Sequence, residues 1–144
     1  MKVKRLLIVD DSADDVELTT SALKKFHFVN PVDVARDGVE ALDYLYCRGH
    51  FASREPGNPA LILLDIKMPR VGGLAVLKQV RNDPKLNMVP VVMLTSSREE
   101  RDIVEGYELG ANAYVVKPVD FEQFMTAVRD LGMFWLAVNE LPSN

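Results

Sequence analysis

The sequence predicts an α/β fold, a doubly wound parallel sheet of five strands with helices on both faces. Three observations carry that prediction. Five short apolar runs, Leu6–Val9, Val32–Ala35, 61–64, 89–94 and 114–116, have strand length and consist mostly of Val, Ile and Leu. Longer amphipathic stretches separate them, several opened by helix-start signals. The two kinds of segment alternate five times, a rhythm that packs as parallel strands joined by right-handed crossovers. With 144 residues, 48% hydrophobic and 26% charged, the chain suits one domain that can bury a proper core.

Each element can be justified in turn. Leu6–Val9, 61–64 and 91–94 are apolar at every position, as strands covered on both faces should be. The first helix starts near Ser12 or Ala13 and runs to about Phe26, with Lys24 and Lys25 as a solvated end that suits the helix dipole. Val32-Asp33-Val34-Ala35 carries a charge and follows Pro31, which fits an edge strand. Asp37-Gly-Val-Glu40 reads as a capping box for the second helix. A loop over 50–59, rich in Gly, Pro and polar residues, precedes the third strand. The third helix runs from about Gly73 to Asp83, where Pro84 closes it. Ser97-Arg-Glu-Glu100 repeats the capping box for the fourth helix, and 98–102 form an exposed face with local ion pairs. Asp120-Phe-Glu-Gln123 opens the fifth, whose apolar stripe of Phe121, Phe124, Met125, Val128, Leu131, Gly132 and Trp135 continues toward Leu141. Such a helix spans about 30 Å against about 17 Å for a five-residue strand, so its end overhangs the sheet. Strand order 2-1-3-4-5 places the second strand at an edge and the first, third and fourth inside.

Composition excludes several functions. Lys plus Arg is 17 and Asp plus Glu 21, a net charge of -4, so nucleic acid is not an expected partner. The single cysteine, Cys47, rules out an intrachain disulfide and a cysteine-rich zinc site, agrees with a cytoplasmic location, and reads as a small packing residue. His27 and His50 lack metal-ligand spacing. No apolar stretch is long enough to span a membrane, and the run after Met-Lys-Val-Lys-Arg is too short for a signal-peptide core.

The chemistry gathers at the strand ends. In open α/β sheets ligands bind outside the carboxyl ends of strands where the order reverses, here between the first and third. Those strands end in Asp10-Asp11 and Asp65, the fourth in Thr95 and Ser96, the fifth in Lys117 and Pro118. Taken singly, each has an ordinary reading: Asp10 or Asp11 caps a helix, and Lys117 is a solvated loop lysine. Taken together, four strand ends supply complementary groups. Converging carboxylates repel, and their pKa values rise unless a cation joins them. Oxygen donors without Cys or His favour a hard ion, Mg²⁺ before zinc. Thr95 and Lys117 would complete a clamp for a phosphoryl group in transfer. Asp65 ends the central strand alone and is the candidate nucleophile, giving an acyl phosphate.

These residues stand in the motifs Leu-Ile-Val-Asp10-Asp11-Ser, Leu-Ile-Leu-Leu-Asp65-Ile-Lys-Met-Pro69, Val-Met-Leu-Thr95-Ser and Gly110-Ala-Asn-Ala-Tyr114-Val-Val-Lys117-Pro118. As an ordered set over 4–131 they closely resemble the receiver domain of bacterial two-component response regulators. The resemblance implies a flavodoxin-like (βα)5 fold and a phosphoacceptor that catalyses only its own phosphotransfer and dephosphorylation. It implies that Asp65 takes a phosphoryl group from a phosphohistidine of a sensor kinase. Asp10 and Asp11 would hold Mg²⁺, Asp11 more directly, with Asp65 and the Lys67 backbone carbonyl. Thr95 would hydrogen-bond the phosphoryl group and Lys117 contact it by charge, with a cis Lys117–Pro118 bond. Tyr114, by itself an ordinary edge-strand aromatic, would be the switch residue coupled to Thr95. The two-state element would include the fourth helix, fifth strand and fifth helix. One departure stands out. After Met-Pro the family commonly has Asp-Gly, whereas here Pro69-Arg-Val-Gly72-Gly73 keeps the glycine at Gly73 and puts Gly72 in place of the acid. The expected effect is on loop order more than on chemistry.

Two features narrow the subfamily. A long second helix reaching through 44–49 with the loop from Phe51 to Pro59, and an extended aromatic-ended last helix, resemble regulators paired with bacterial phytochrome kinases. An intermediate receiver of a phosphorelay is the alternative. Among other classes, a haloacid-dehalogenase-type hydrolase needs an acid two residues after its first Asp, where Ser12 stands. A flavin carrier needs a phosphate cradle, where the acidic Asp11-Ser-Ala-Asp-Asp15 stands. The overhanging Phe134 and Trp135 either fold back on the sheet or form an apolar partner site, and a two-fold homodimer through the last helix is the expectation. Residues 1–144 read as a single receiver domain without an effector domain, so output should pass through a protein surface.

Overall fold

The computed structural model describes residues 5–25, 30–95 and 100–130. Five parallel strands, β1 (Leu6–Val9), β2 (Val32–Ala35), β3 (Leu61–Asp65), β4 (Val91–Thr95) and β5 (Ala113–Val116), lie in the order β2-β1-β3-β4-β5. Helices α1 (Ala13–Lys24), α2 (Gly38–Leu45), α3 (Gly73–Asn82), α4 (Glu100–Glu108) and α5 (Phe121–Asp130) connect or follow them. This is the doubly wound, flavodoxin-like topology expected. Its register aligns the chemistry: Val9 pairs with Leu64, Asp65 with Leu94 and Thr95 with Val116, so the residues after each strand emerge along one rim.

Alternation along the strands divides the core into two layers. Leu6, Ile8, Leu61, Leu63, Val92 and Leu94 face the side covered by α1 and α5, where Leu23, Phe124 and Ala127 meet them. Leu7, Val9, Ile62, Leu64, Val91 and Met93 face α2 and α3, against Tyr44, Val76, Leu77 and Val80. Every side chain of β1 is fully buried, each stabilising the fold by about 1.5–3 kcal/mol relative to exposure. Asp33 on edge strand β2 is accommodated by pairing. It accepts from Arg5 at 2.7 and 3.0 Å and from the Tyr44 hydroxyl at 2.6 Å.

The boundaries follow local chemistry. Ser12 caps α1 by accepting the Asp15 N–H, and Asp37 caps α2 by accepting the Glu40 N–H. The fourth strand begins at Val91, after Pro90. In one place the expectation fails: α2 does not run through 44–49 but ends at Leu45. Cys47 takes a left-handed backbone (φ 52), the chain turns, and a short 3-10 helix forms over Gly49–Phe51. The cause lies downstream. Arg54 lies over the Tyr44 ring, 3.9 Å from its centroid, and donates to the Tyr44 carbonyl at 2.6 Å, while Phe51 packs edge-on against that ring at 5.1 Å. A continuing helix would offer the Tyr44 carbonyl to the Arg48 N–H; instead that carbonyl accepts from Arg54 and from the Cys47 N–H at 3.2 Å, and the Arg48 N–H donates to the Asp43 carbonyl at 2.9 Å. The loop that follows is organised around the Arg54 guanidinium, which also donates to the carbonyls of Glu55 and Gly57.

Among the described residues no helix is long and apolar enough to cross a membrane. The expected cap Ser97, the end of the first helix near Phe26, His27, and the continuation of the last helix through Phe134 and Trp135 lie outside the described residues.

Candidate functional site

The rim above β1, β3 and β5 gathers the predicted groups. Asp10 directly follows β1 and is 1% exposed; Asp65 ends β3 and is 5% exposed; Asp11 faces solvent. One oxygen from each of these three carboxylates lies within 4.8 Å of the others. Lys117 follows β5 with its side chain 9% exposed, and its ammonium reaches Asp10 Oδ2 at 2.8 Å, Asp15 Oδ2 at 3.0 Å and Asp65 Oδ2 at 3.3 Å. The Lys117 N–H donates to the Thr95 carbonyl at 2.8 Å, and the Lys117–Pro118 bond is cis. Thr95 itself is buried at the end of β4. The structure therefore brings Asp10, Asp11, Asp65, Thr95 and Lys117 to one rim.

Glycine makes this closeness possible. The chain after Asp65 doubles back so tightly that a Cβ on Gly73 would overlap the Asp65 carbonyl oxygen, and the Gly73 N–H donates to the Ile66 carbonyl at 2.9 Å. Gly72, where the resemblance leads one to expect an acid, is the N-cap of α3 and makes no side-chain cap bond. Its backbone is extended and a Cβ there would touch only the Ile66 carbonyl, at 3.5 Å. The loop's far side is clasped by Arg70, a left-handed residue (φ 66) that donates to Asp37 Oδ2 at 2.9 Å, and by the Gly38 N–H, which donates to the Val71 carbonyl at 3.1 Å. On the near side, Lys67 forms a long ion pair, 3.7 Å, with Asp102 of α4.

The electrostatics are unbalanced. Burial pushes the Asp65 carboxyl up to about 6; Lys117 opposes the shift, and Asp10 and Asp11 add to it. Burial works against the Lys117 ammonium too, but its close pairing with Asp10 and Asp15 and the charge of Asp65 outweigh it and raise its pKa above the ordinary lysine value. Asp10 Oδ2 is buried and ion-paired with Lys117, yet no well-angled hydrogen bond reaches it. Three clustered carboxylates with one shared ammonium are short of positive charge. The donor set is all oxygen, so it fits a hard divalent cation.

Two groups add detail to the sequence reading. Tyr114 is 41% exposed and packs edge-on against Tyr107 with centroids 5.5 Å apart; on β4 its partner is Met93, two residues before Thr95. The outward ring sits over a narrow apolar cleft lined by Ile66, Met93 and Ile103. Asp15 joins the site although the sequence assigns it no role there. The available signal is the spacing Ser12-x-x-Asp15, a capping pattern whose acid is close to the rim. His50 is exposed, as expected of a loop residue, and lines a cavity of about 340 Å³ beside Asp10 and Asp11 with Arg36 and Phe51.

Strand-end carboxylates around a buried lysine, at the reversal point of a 2-1-3-4-5 sheet, define a class of signalling domain. The chain belongs to the response regulator receiver domain family, whose model matches residues 6–129. Within that family the similarity extends over nearly the whole chain. It is 57% identical to the bacteriophytochrome response regulator RtBRR, with a TM-score of 0.87 over 98% of this chain and 85% of that one. It is 52% identical to the bacteriophytochrome response regulator AtBRR, with a TM-score of 0.88 over 99% and 100% of the two chains. Response regulator Rcp1 of Synechocystis sp. is 34% identical over 140 residues, 97% of this chain and 94% of that protein. Rcp1 has been solved in a Mn²⁺-bound form, which superposes with a TM-score of 0.76 over 97% and 99% of the two chains.

Proposed function

We propose that this receiver accepts a phosphoryl group on Asp65 from a phosphohistidine of a sensor histidine kinase, with Mg²⁺ as cofactor. The observation that carries the reading is a buried Asp65 set between two further carboxylates and the buried Lys117. Asp10, Asp11, Asp65 and the Lys67 carbonyl would hold the ion. When bound, Mg²⁺ supplies the positive charge that three carboxylates need and shields the acceptor from the incoming phosphoryl oxygens.

The chain's own groups do the rest. An Asp65 oxygen attacks phosphorus in line, the P–N bond to the donor imidazole breaks, and the imidazole departs with the electron pair. Asp65 must be ionised to attack, and a carboxyl titrating near 6 is mostly so at neutral pH. Lys117 offsets the charge gathering on the phosphoryl oxygens, and the Thr95 hydroxyl donates to one of them. Recruiting Thr95 and Lys117 to the phosphoryl group would bias Tyr114 and the surface of α4, β5 and α5, through which the signal leaves. Identities of 57% and 52% to two bacteriophytochrome response regulators support a phytochrome-type kinase as the donor. We further propose that the chain acts as a cytoplasmic receiver unit and pairs as a homodimer through an apolar surface that includes Phe134 and Trp135.

Labelling with a phosphorylated histidine kinase, or with acetyl phosphate and Mg²⁺, tests the assignment. Wild type should take up one phosphoryl group that alkali releases, and Asp65→Asn none. Equal labelling of both proteins refutes Asp65 as the acceptor.

A further inference from the structure

We infer that Asp15 is a positioning residue of the acceptor site: it shares Lys117 with Asp65 and sets how much of that ammonium is available to an incoming phosphoryl group. The inference rests on the reading of Asp65 as phosphoacceptor. Lys117 Nζ lies nearer to Asp15 Oδ2, at 3.0 Å, than to Asp65 Oδ2, at 3.3 Å, and donates a hydrogen bond to Asp15. Asp15 is not one of the three clustered carboxylates, so Lys117 is divided between that cluster, where Asp10 holds it at 2.8 Å, and a fourth carboxylate outside it.

The local structure shows why this carboxylate is free to do so. In a reciprocal capping box, the acid three residues after the N-cap returns to the N-cap's own N–H. Here Ser12 Oγ accepts the Asp15 N–H at 3.2 Å, but the Ser12 N–H is donated to Asp10 Oδ1 at 3.0 Å. Asp10 has taken over half of the cap. The Asp15 side chain is thereby released from α1 and reaches the end of β5, 102 residues away in sequence. Its position in the first turn of α1 fixes the reach.

Two consequences follow, with opposite signs. Neutralising Asp15 removes a negative charge from the rim and lets Lys117 settle on Asp10 and Asp65, and both changes disfavour a divalent cation. The same changes favour an anionic phosphoryl group, which meets less repulsion and an ammonium shared among fewer carboxylates. Asp15 has its side chain 35% exposed, so solvent screening limits each effect to about three- to fivefold.

Calorimetric titration of the full chain separates the outcomes, first with Mg²⁺ alone and then with beryllofluoride at saturating Mg²⁺. Asp15→Asn should weaken Mg²⁺ binding and tighten beryllofluoride binding, each by about three- to fivefold. Asp15→Glu, which keeps the charge, should restore both toward wild type. Asp14→Asn removes the same charge from an exposed position in the same turn and should move neither by more than about twofold. Affinities that fall together, as a loosened fold would make them, overturn the inference, and so does an Asp14→Asn that matches Asp15→Asn. A wild type that binds both ligands while Asp15→Asn leaves them unchanged overturns the role of Asp15 alone. A wild type that binds Mg²⁺ but no beryllofluoride overturns the acceptor reading and this inference with it.

Discussion

Replacing Asp65 by Asn should make the metal-free protein more stable at neutral pH, although it abolishes phosphorylation. Burial raises the Asp65 carboxyl from its ordinary 3.8 to about 6. For an acid shifted upward, the native state still holds a proton that the unfolded chain has already released. Stability is therefore lost as pH rises from about 4 to about 6 and stays lost above it. At about 1.4 kcal/mol for each pH unit of that window, the buried charge costs about 3 kcal/mol at pH 7. The Asp65 side chain is 8% exposed, so solvent relieves little of this. Asparagine has the same shape, carries no charge and still offers Lys117 an oxygen. Urea unfolding in EDTA, at intervals from pH 4 to 8, measures the difference between the two proteins and cancels the titrating groups remote from Asp65. The Asp65→Asn variant is expected to gain about 1.5–3 kcal/mol at pH 7.5, with the two proteins converging near pH 4. Saturating Mg²⁺ should narrow or reverse the gap, because only the wild type offers it the full carboxylate set. A variant no more stable than wild type at pH 7.5, or a gap that does not change with pH, would refute the argument that this carboxylate is held against its own desolvation.

Two glycines in one loop should behave oppositely. Gly73→Ala places a Cβ on the Asp65 carbonyl oxygen, and the forced shift should cost at least about 3 kcal/mol in urea unfolding, with loss of phosphotransfer. Gly72→Asp meets no obstruction and supplies the cap α3 lacks, so it should gain a few tenths of a kcal/mol at unchanged phosphotransfer rate; a large rate gain would mean the acid does chemistry here.

The sheet order and most of the rim were legible in the sequence because both depend on residues that sit at strand ends. β1 is apolar throughout, and β3 and β4 are apolar up to their last residues, which declares them interior, and whatever ends or follows them is placed at the rim by topology. What escaped depends on contacts between distant segments. Gly49 marks a turn near Cys47, but the place where the helix ends depends on Arg54, seven residues on, which shares the Tyr44 carbonyl and lies over its ring. Asp15 reads as one more acid of a first turn because its partner lies beyond β5. The outward ring of Tyr114 is set by Tyr107 on α4, a choice of rotamer that no spacing encodes.

The clasp on the loop after Asp65 has a mechanical consequence. At the Arg70 end the loop is pinned to the start of α2 by a guanidinium–carboxylate pair at 2.6 Å and by a backbone bond from Gly38. At the Lys67 end it is tethered to α4 by a pair at 3.7 Å whose lysine is 63% exposed. The loop after Asp65 is thus held to α2 by an ion pair and a backbone bond and to α4 by one longer ion pair, so a displacement at Asp65 is expected to shift its α4 side before its α2 side.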